Sequence, residues 1–125
     1  MSRVVAGIGL RPGCEAAVIL HAVADACAAL GRRPDALAAP AFRRTEPGPI
    51  EAARHLGVTL LWIEHAALHA ASAACITRSE ASLRATGIAS VSEACAIAAV
   101  GLGARLLAAR VAVGAATCAL AEAPA

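Results

Sequence analysis

The chain has 125 residues and a formal net charge of +2 at pH 7, and 59% of its residues are hydrophobic. This length supports one core, so we expect a single domain over residues 1–125. Scattered arginines and an aromatic content of 2% argue against nucleic-acid binding. No apolar run reaches the roughly 18 residues of a membrane span, and no secretory signal opens the chain, so we expect a cytoplasmic protein without membrane association.

The first half of the chain alternates strand and helix patterns. Its predicted elements are, in order, a strand, a helix, a strand, a helix, a strand and a short helix, over residues 3–8, 13–30, 36–39, 46–56, 58–63 and 65–70. Gly31 and Gly57 are the expected ends of the two longer helices, and Thr45 is the expected cap of the second. Strands that alternate with helices in this way are joined by parallel crossovers.

The second half predicts two helices and a hairpin. Residues 77–87 have helical spacing, and Ser90 with Glu93 matches a capping box before an apolar helix that runs to about residue 100. Residues 104–111 and 115–121 are strand-length runs that we interpret as a hairpin. Because a hairpin is antiparallel and the crossovers are parallel, the predicted fold is α/β: a three-layer α/β/α sandwich with a mixed sheet of about five strands.

The first candidate site follows the first strand. Gly7, Gly9 and Gly13 are spaced so that backbone amides can approach an anion at the start of the next helix, and Arg11 lies among them. The segment is neither a dinucleotide-binding fingerprint nor a phosphate-binding loop. A tight turn without a ligand is the alternative interpretation.

Three further charged residues have both functional and structural interpretations. Arg43 and Glu46 follow the second strand, and parallel strands would bring them to the edge of the sheet where open α/β sheets bind ligands. Solvated loop residues are the alternative. Glu93 is explained as the third residue of the capping box, with its carboxylate reaching back to the amide of Ser90. A catalytic acid is the alternative for Glu93.

The sequence predicts no metal site, no disulfide and no cofactor. The five cysteines are widely spaced and form no Cys-x-x-Cys pair. His65 and His69 have the i, i+4 spacing of helical metal ligands, but the sequence offers no third ligand. No Gly-x-Ser-x-Gly nucleophile motif is present, and no base is paired with Cys14.

The order of the motifs resembles that of a known family. The motifs are VAGIGLRPG at 5–13, TEPG at 45–48, LGV at 56–58, VSEACA at 91–96 and TCALA at 117–121. They are similar to those of CobE and the carboxy-terminal domain of CbiG, a family of cobalamin (vitamin B12) biosynthesis. Ala39 stands where a threonine is common in that family, and Arg43 and Arg110 stand where lysines are common. The positive charge is kept at both positions, but a Schiff base is excluded there because it requires the amine of a lysine.

The resemblance implies work on a precursor of the corrin ring, with a precorrin or other tetrapyrrole intermediate as the partner. We favour binding or chaperoning of a carboxylate-rich precursor. A small pathway enzyme, either a hydrolase or a ring-modifying protein, is the alternative, and a subunit that docks onto another enzyme of the pathway is a third possibility. Glu93 and Thr117 join the candidate site through the resemblance alone. The predicted ligand-binding residues are Gly7, Gly9, Arg11, Gly13, Arg43, Glu46, Glu93 and Thr117.

Overall fold

The computed structural model describes residues 2–124, which form one sheet with helices on both of its faces. The strands are β1 (Val4–Leu10), β2 (Ala36–Pro40), β3 (Thr59–Ile63), β4 (Arg105–Leu106), β5 (Val111–Val113) and β6 (Ala116–Glu122). The helices are α1 (Ala16–Cys27), α2 (Pro47–Leu56), α3 (His65–Ala71), α4 (Glu80–Thr86) and α5 (Val91–Val100).

The sheet has the order β3-β2-β1-β6-β4, and β5 also pairs with β6. The first three strands are parallel, whereas β6 runs antiparallel to β1, β4 and β5. Alternate residues of β1 face opposite layers: Ile8 packs in the core with α1 and α2, and Val5 packs in the core with α3 and α5. The predicted α/β sandwich with a mixed sheet is therefore confirmed.

The terminal hairpin differs from its prediction in two places. The expected strand over residues 104–111 is divided into β4 and β5, and the turn lies at residues 114–115, later than expected. Between the two strands, residues 108–110 bulge out opposite the single residue Ala119, because the Leu107 amide still donates to the Leu120 carbonyl and Val111 already pairs with Cys118. The backbone amide of Arg110 at the end of this bulge donates a hydrogen bond to the Glu93 carboxylate. A bulge thus interrupts a strand that the local apolar pattern predicts as continuous, and a helix residue binds the last amide of that bulge.

Helix boundaries follow the sequence signals with two exceptions, at the end of α1 and at the start of α2. Helix α1 ends at Cys27 with Ala28 as its C-cap, so the expected end at Gly31 is wrong. Gly57 and Gly87 adopt left-handed conformations at the ends of α2 and α4, and the side chains of Ser79 and Ser90 cap the starts of α4 and α5. The expected cap Thr45 is wrong, because Glu46 occupies that position and makes no side-chain cap bond.

No single helix within residues 2–124 is long and apolar enough to cross a membrane. The helices α4 and α5 reach that length and composition only when taken together, and they are bent by 68° at the break between them.

Candidate functional site

An open cleft of about 520 Å³ lies at the edge of the sheet where β1 and β2 end. Gly9 and Thr117, which pair across β1 and β6, contribute to its sheet side. One wall is formed by α4 and by Val91 at the start of α5. The carboxyl ends of parallel strands are where open α/β sheets bind ligands, so this cleft is the candidate site.

Three arginines line the cleft: Arg11, Arg43 and Arg110. The Nε of Arg43 donates to the Leu10 carbonyl at 3.1 Å, and the Nη2 of Arg11 donates to the Gly114 carbonyl at 3.2 Å. Among residues 2–124, no carboxylate lies within 4.0 Å of any of these three guanidiniums, because the ion pairs of the chain involve other arginines. The three positive charges therefore remain available to an anionic ligand.

The cleft also presents apolar surface. Ala81, Ala85 and Val91 line one wall, and the ring of Phe42 is 43% exposed. The guanidinium carbon of Arg43 lies 5.0 Å from the centre of that ring, which is a cation–π contact. The arrangement combines cations with an apolar face.

A smaller cavity of about 330 Å³ adjoins the cleft beyond Phe42 and Thr86, and His65 lines it. The ring of His65 is 6.3 Å from the ring of Phe42, centre to centre. A ligand that fills the main cleft thus has a second, smaller space beside it.

The predicted glycine loop is wrong for Gly7 and Gly9, because both residues lie inside β1. Gly7 pairs with Ala38 on one side and with Ala119 on the other. A Cβ atom at Gly7 would lie 2.0 Å from the carbonyl oxygen of Ser92, so the backbone of α5 packs directly against this glycine. Gly9 lines the cleft, whereas Gly7 lies beneath α5 and is not part of the lining.

Gly13 and Glu46 lie together, but in a different cleft of about 380 Å³ at the start of α1. The amide of Gly13 donates to Oε1 of Glu46 at 2.7 Å. Glu15 and Glu51 line the same cleft, so its charge is unsuited to an anion. The Glu46 carboxylate thus accepts the hydrogen bond of the Gly13 amide, which we expected from the sequence to bind an external anion.

Glu93 is fully buried and accepts four hydrogen bonds. Its Oε1 accepts from the amides of Ile76 at 2.7 Å and Thr77 at 2.9 Å, and its Oε2 accepts from the Thr77 hydroxyl at 2.6 Å and the Arg110 amide at 3.0 Å. The amide of Glu93 donates to the Ser90 hydroxyl at 3.4 Å, which confirms one half of the capping box. The other half is wrong, because the carboxylate binds these loops and not the Ser90 amide.

These hydrogen bonds determine the protonation state of Glu93. Burial raises the pKa of the carboxyl group, but the bonds from the Thr77 side chain and from the amides of Thr77, Arg110 and Ile76 outweigh burial and lower it. Glu93 is therefore ionised at neutral pH and holds no proton to donate. Its geometry is that of a structural anion.

Glu93 should make the protein sensitive to acid. The pKa of its carboxyl group lies below the 4.5 of an ordinary glutamate, so the unfolded chain binds more protons below that pH. We expect the stability from Glu93 to be complete above about pH 4.5 and to be lost as the pH falls through the lower pKa of the folded state. Urea unfolding between pH 7 and pH 3 measures this dependence.

The matched variant is Glu93→Gln, which we expect to be less stable than the wild type at pH 7 by about 1–3 kcal/mol and to lose less stability on acidification. Some dependence of stability on pH remains in the variant, because two other carboxyl groups also have lowered pKa values. The Val4 amide lowers the pKa of Asp35, and the Arg105 side chain lowers the pKa of Glu122. Identical slopes in the two proteins would contradict a lowered pKa at Glu93.

Of the eight predicted residues, four line the main cleft: Gly9, Arg11, Arg43 and Thr117. Sequence reasoning missed Arg110 as a site residue, although it noted Arg110 as a retained charge. It also missed the wall formed by α4, because Ala81 and Ala85 give no signal in a sequence rich in alanine. The family resemblance at Arg110 is the signal that could have found the third arginine.

The cysteines and histidines form no cluster suited to a metal. Within residues 2–124, no group of three or more His, Cys, Asp and Glu side chains could hold a metal ion. The five cysteines are free, and burial raises the pKa of Cys95 and Cys118 far above the ordinary range. These thiols are therefore poor nucleophiles.

The family match and two similar solved structures agree with one another. The family described as "Cobalamin synthesis G C-terminus" matches residues 4–121. The chain is 35% identical to CobE, a protein of the cobalamin (vitamin B12) biosynthetic pathway, with a TM-score of 0.91 over 98% of this chain and 92% of that one. It is 43% identical to the cobalamin biosynthesis protein ChiG of Agrobacterium tumefaciens, with a TM-score of 0.79 over 98% of this chain and 99% of that one.

A more distant structure shares the fold. The putative cobalamin biosynthesis protein G homolog of Sulfolobus solfataricus is 16% identical, with a TM-score of 0.66 over 99% of this chain and 38% of that longer chain. A comparison with curated proteins finds no match.

Proposed function

The chain belongs to the cobalamin synthesis G carboxy-terminal family, and we propose that its three-arginine cleft binds a carboxylate-rich precursor of the corrin ring. The observation that carries this proposal is the position of Arg11, Arg43 and Arg110 around one cleft with no carboxylate of residues 2–124 within 4.0 Å of them. We propose that the protein acts in the cytoplasm, and that its partners are the precursor and the pathway enzymes that deliver or receive it.

The chemistry of the ligand class supports this proposal. Corrin precursors carry acetate and propionate carboxylates around a flat and mostly apolar macrocycle. Arginine guanidiniums bind carboxylates through paired hydrogen bonds, which makes them suitable partners for the rim of such a ligand. The side chains of Ala81, Ala85 and Val91 offer apolar contact for the macrocycle beside these cations.

The shape and composition of the cleft favour binding over catalysis. The cleft is open, so a large macrocycle can insert one edge while the rest stays in solvent. Its lining, as described within residues 2–124, contains no aspartate, glutamate, histidine or cysteine. Glu93, the candidate acid, is buried outside the lining and is ionised. These features suit a protein that holds and transfers an intermediate.

A titration followed by visible absorption tests the proposal. Dicyanocobyrinic acid has free side-chain carboxylates, and dicyanocobinamide has the same macrocycle with amides in their place. We expect saturable binding of the acid, and at least about tenfold weaker binding of the amide, because a neutral amide loses the charge-assisted bonds to arginine.

Two outcomes would count against the proposal: equal affinity for the two corrinoids, or no saturable binding of either, checked by equilibrium dialysis with the corrinoid absorbance as the readout. A conversion of the acid that proceeds with turnover would instead support the small-enzyme alternative.

A further inference from the structure

Glu93 joins two segments that are distant in sequence and that both contribute to the cleft. Ile76 and Thr77 lie in the loop that leads to α4, whose N-cap is Ser79, and α4 forms one wall of the cleft. Arg110 lies in the segment between β4 and β5, and its side chain lines the cleft. One carboxylate thus holds the backbone of both segments.

The contacts of Glu93 explain the position of Arg110. Residues 108–110 bulge out of the sheet between Leu107, whose amide still donates to the Leu120 carbonyl, and β5, and the Arg110 amide donates to Glu93. The guanidinium of Arg110 has no hydrogen-bond acceptor among residues 2–124, so its amide bond to Glu93, together with the pairing of the adjacent Val111 in β5, locates this residue. Moving this amide would move the charge in the cleft.

We propose that Glu93 is a positioning residue that holds Arg110 and the loop leading to α4 in place, and so determines how tightly the cleft binds a carboxylate ligand. The side chain is fully buried and does not line the cleft, so it acts through these neighbours and not by touching the ligand. The inference rests on the proposed function as far as the ligand is concerned. The effect on the backbone does not depend on any ligand.

The variant Glu93→Gln separates the four contacts. A glutamine has one acceptor oxygen, and its best orientation turns that oxygen toward the amides of Ile76 and Thr77. The hydroxyl of Thr77 can rotate to accept from the new NH2 group, but the amide of Arg110 can only donate and is left facing another donor. Glu93→Gln should therefore release the Arg110 segment first.

Amide hydrogen exchange tests this without a ligand. In Glu93→Gln we expect exchange at Arg110 to rise by about tenfold or more, while exchange at core positions of β1 changes only in proportion to overall stability. The control is Ile19→Val, which weakens the core on the opposite face of the sheet. A rise at Arg110 of the same size in both variants would overturn the positioning role.

A double-mutant cycle with Arg110→Ala tests the effect on binding. If Glu93 acts through Arg110, Glu93→Gln should lower the affinity for dicyanocobyrinic acid by about three- to tenfold in the wild-type background and by much less when Arg110 is already absent. Ile19→Val should leave the affinity unchanged. Equal losses in the two backgrounds would overturn the inference.

Failure of the proposed function gives a different pattern. If the wild type binds no carboxylated corrinoid, the cleft is not the proposed site, and hydrogen exchange alone decides whether Glu93 positions Arg110. If Glu93→Gln does not fold, Thr77→Val removes the hydroxyl donor and tests the α4 side of the same arrangement. We expect Thr77→Val to lower the affinity by about threefold at nearly full stability, and an unchanged affinity would overturn the role of Glu93 at α4.

Discussion

Replacing Arg43 by alanine is expected to weaken the binding of dicyanocobyrinic acid by about 1.5 to 3 kcal/mol, or about 10- to 150-fold. The guanidinium uses its Nε to bind the Leu10 carbonyl and lies beside the Phe42 ring, so it is held at the cleft rather than moving freely. It is half-buried, which strengthens a charged hydrogen bond compared with one in open solvent. Arg11→Ala should weaken binding by an amount near the lower end of this range, about 1.5 kcal/mol, because Arg11 is exposed to solvent.

Absorbance titration of folded protein measures these losses, and Arg54→Ala is the matched control. Arg54 is an exposed arginine of α2 that lies outside the cleft, so its removal changes the net charge equally. An equal loss in Arg54→Ala would mean that general electrostatic attraction, and not the cleft, binds the ligand. Unchanged affinity in both Arg11→Ala and Arg43→Ala would refute the proposed site.

Much of the fold could be predicted from the sequence, because local signals and tertiary packing agree there. Gly57 ends α2 in a left-handed conformation, and the Ser90 hydroxyl caps α5, as the pattern predicts. The break between β4 and β5 could not be predicted. Its polar contact lies 17 residues away at Glu93, and an apolar pattern within a strand contains no information about a distant carboxylate.

The site was predictable where it depended on topology. Arg11 and Arg43 follow neighbouring parallel strands, so the placement of the strands brings them to one edge of the sheet. The outcomes at Glu46 and Glu93 depend on which backbone amides meet their carboxylates, and sequence spacing does not determine this. Sequence spacing also failed at Gly7. It suggested a ligand-binding loop, whereas the residue must be glycine because the backbone of α5 packs against it.

Gly7→Ala is expected to destabilise the protein by about 3 kcal/mol or more, the largest effect on stability that we predict. The added Cβ would lie 2.0 Å from the Ser92 carbonyl oxygen and 2.5 Å from the Ala96 nitrogen. Both atoms belong to the backbone of α5, so no side-chain rotation can relieve the overlap and the helix must move away from β1. Because α5 carries Glu93, the displacement should also disturb the Arg110 segment.

The matched control is Gly9→Ala, in the same strand and on the same face. There the added Cβ would lie 2.5 Å from the Thr117 hydroxyl, which can rotate, and at least 3.5 Å from the backbone of α5. We expect a loss of stability of about 1 kcal/mol for Gly9→Ala in urea unfolding, with weaker corrinoid binding because the methyl group enters the cleft. If Gly7→Ala unfolds at the same urea concentration as Gly9→Ala, α5 does not pack as closely on β1 as the structure shows. A large stability gap would establish that Gly7 serves the helix packing, and weaker corrinoid binding by stable Gly9→Ala would establish that Gly9 serves the cleft.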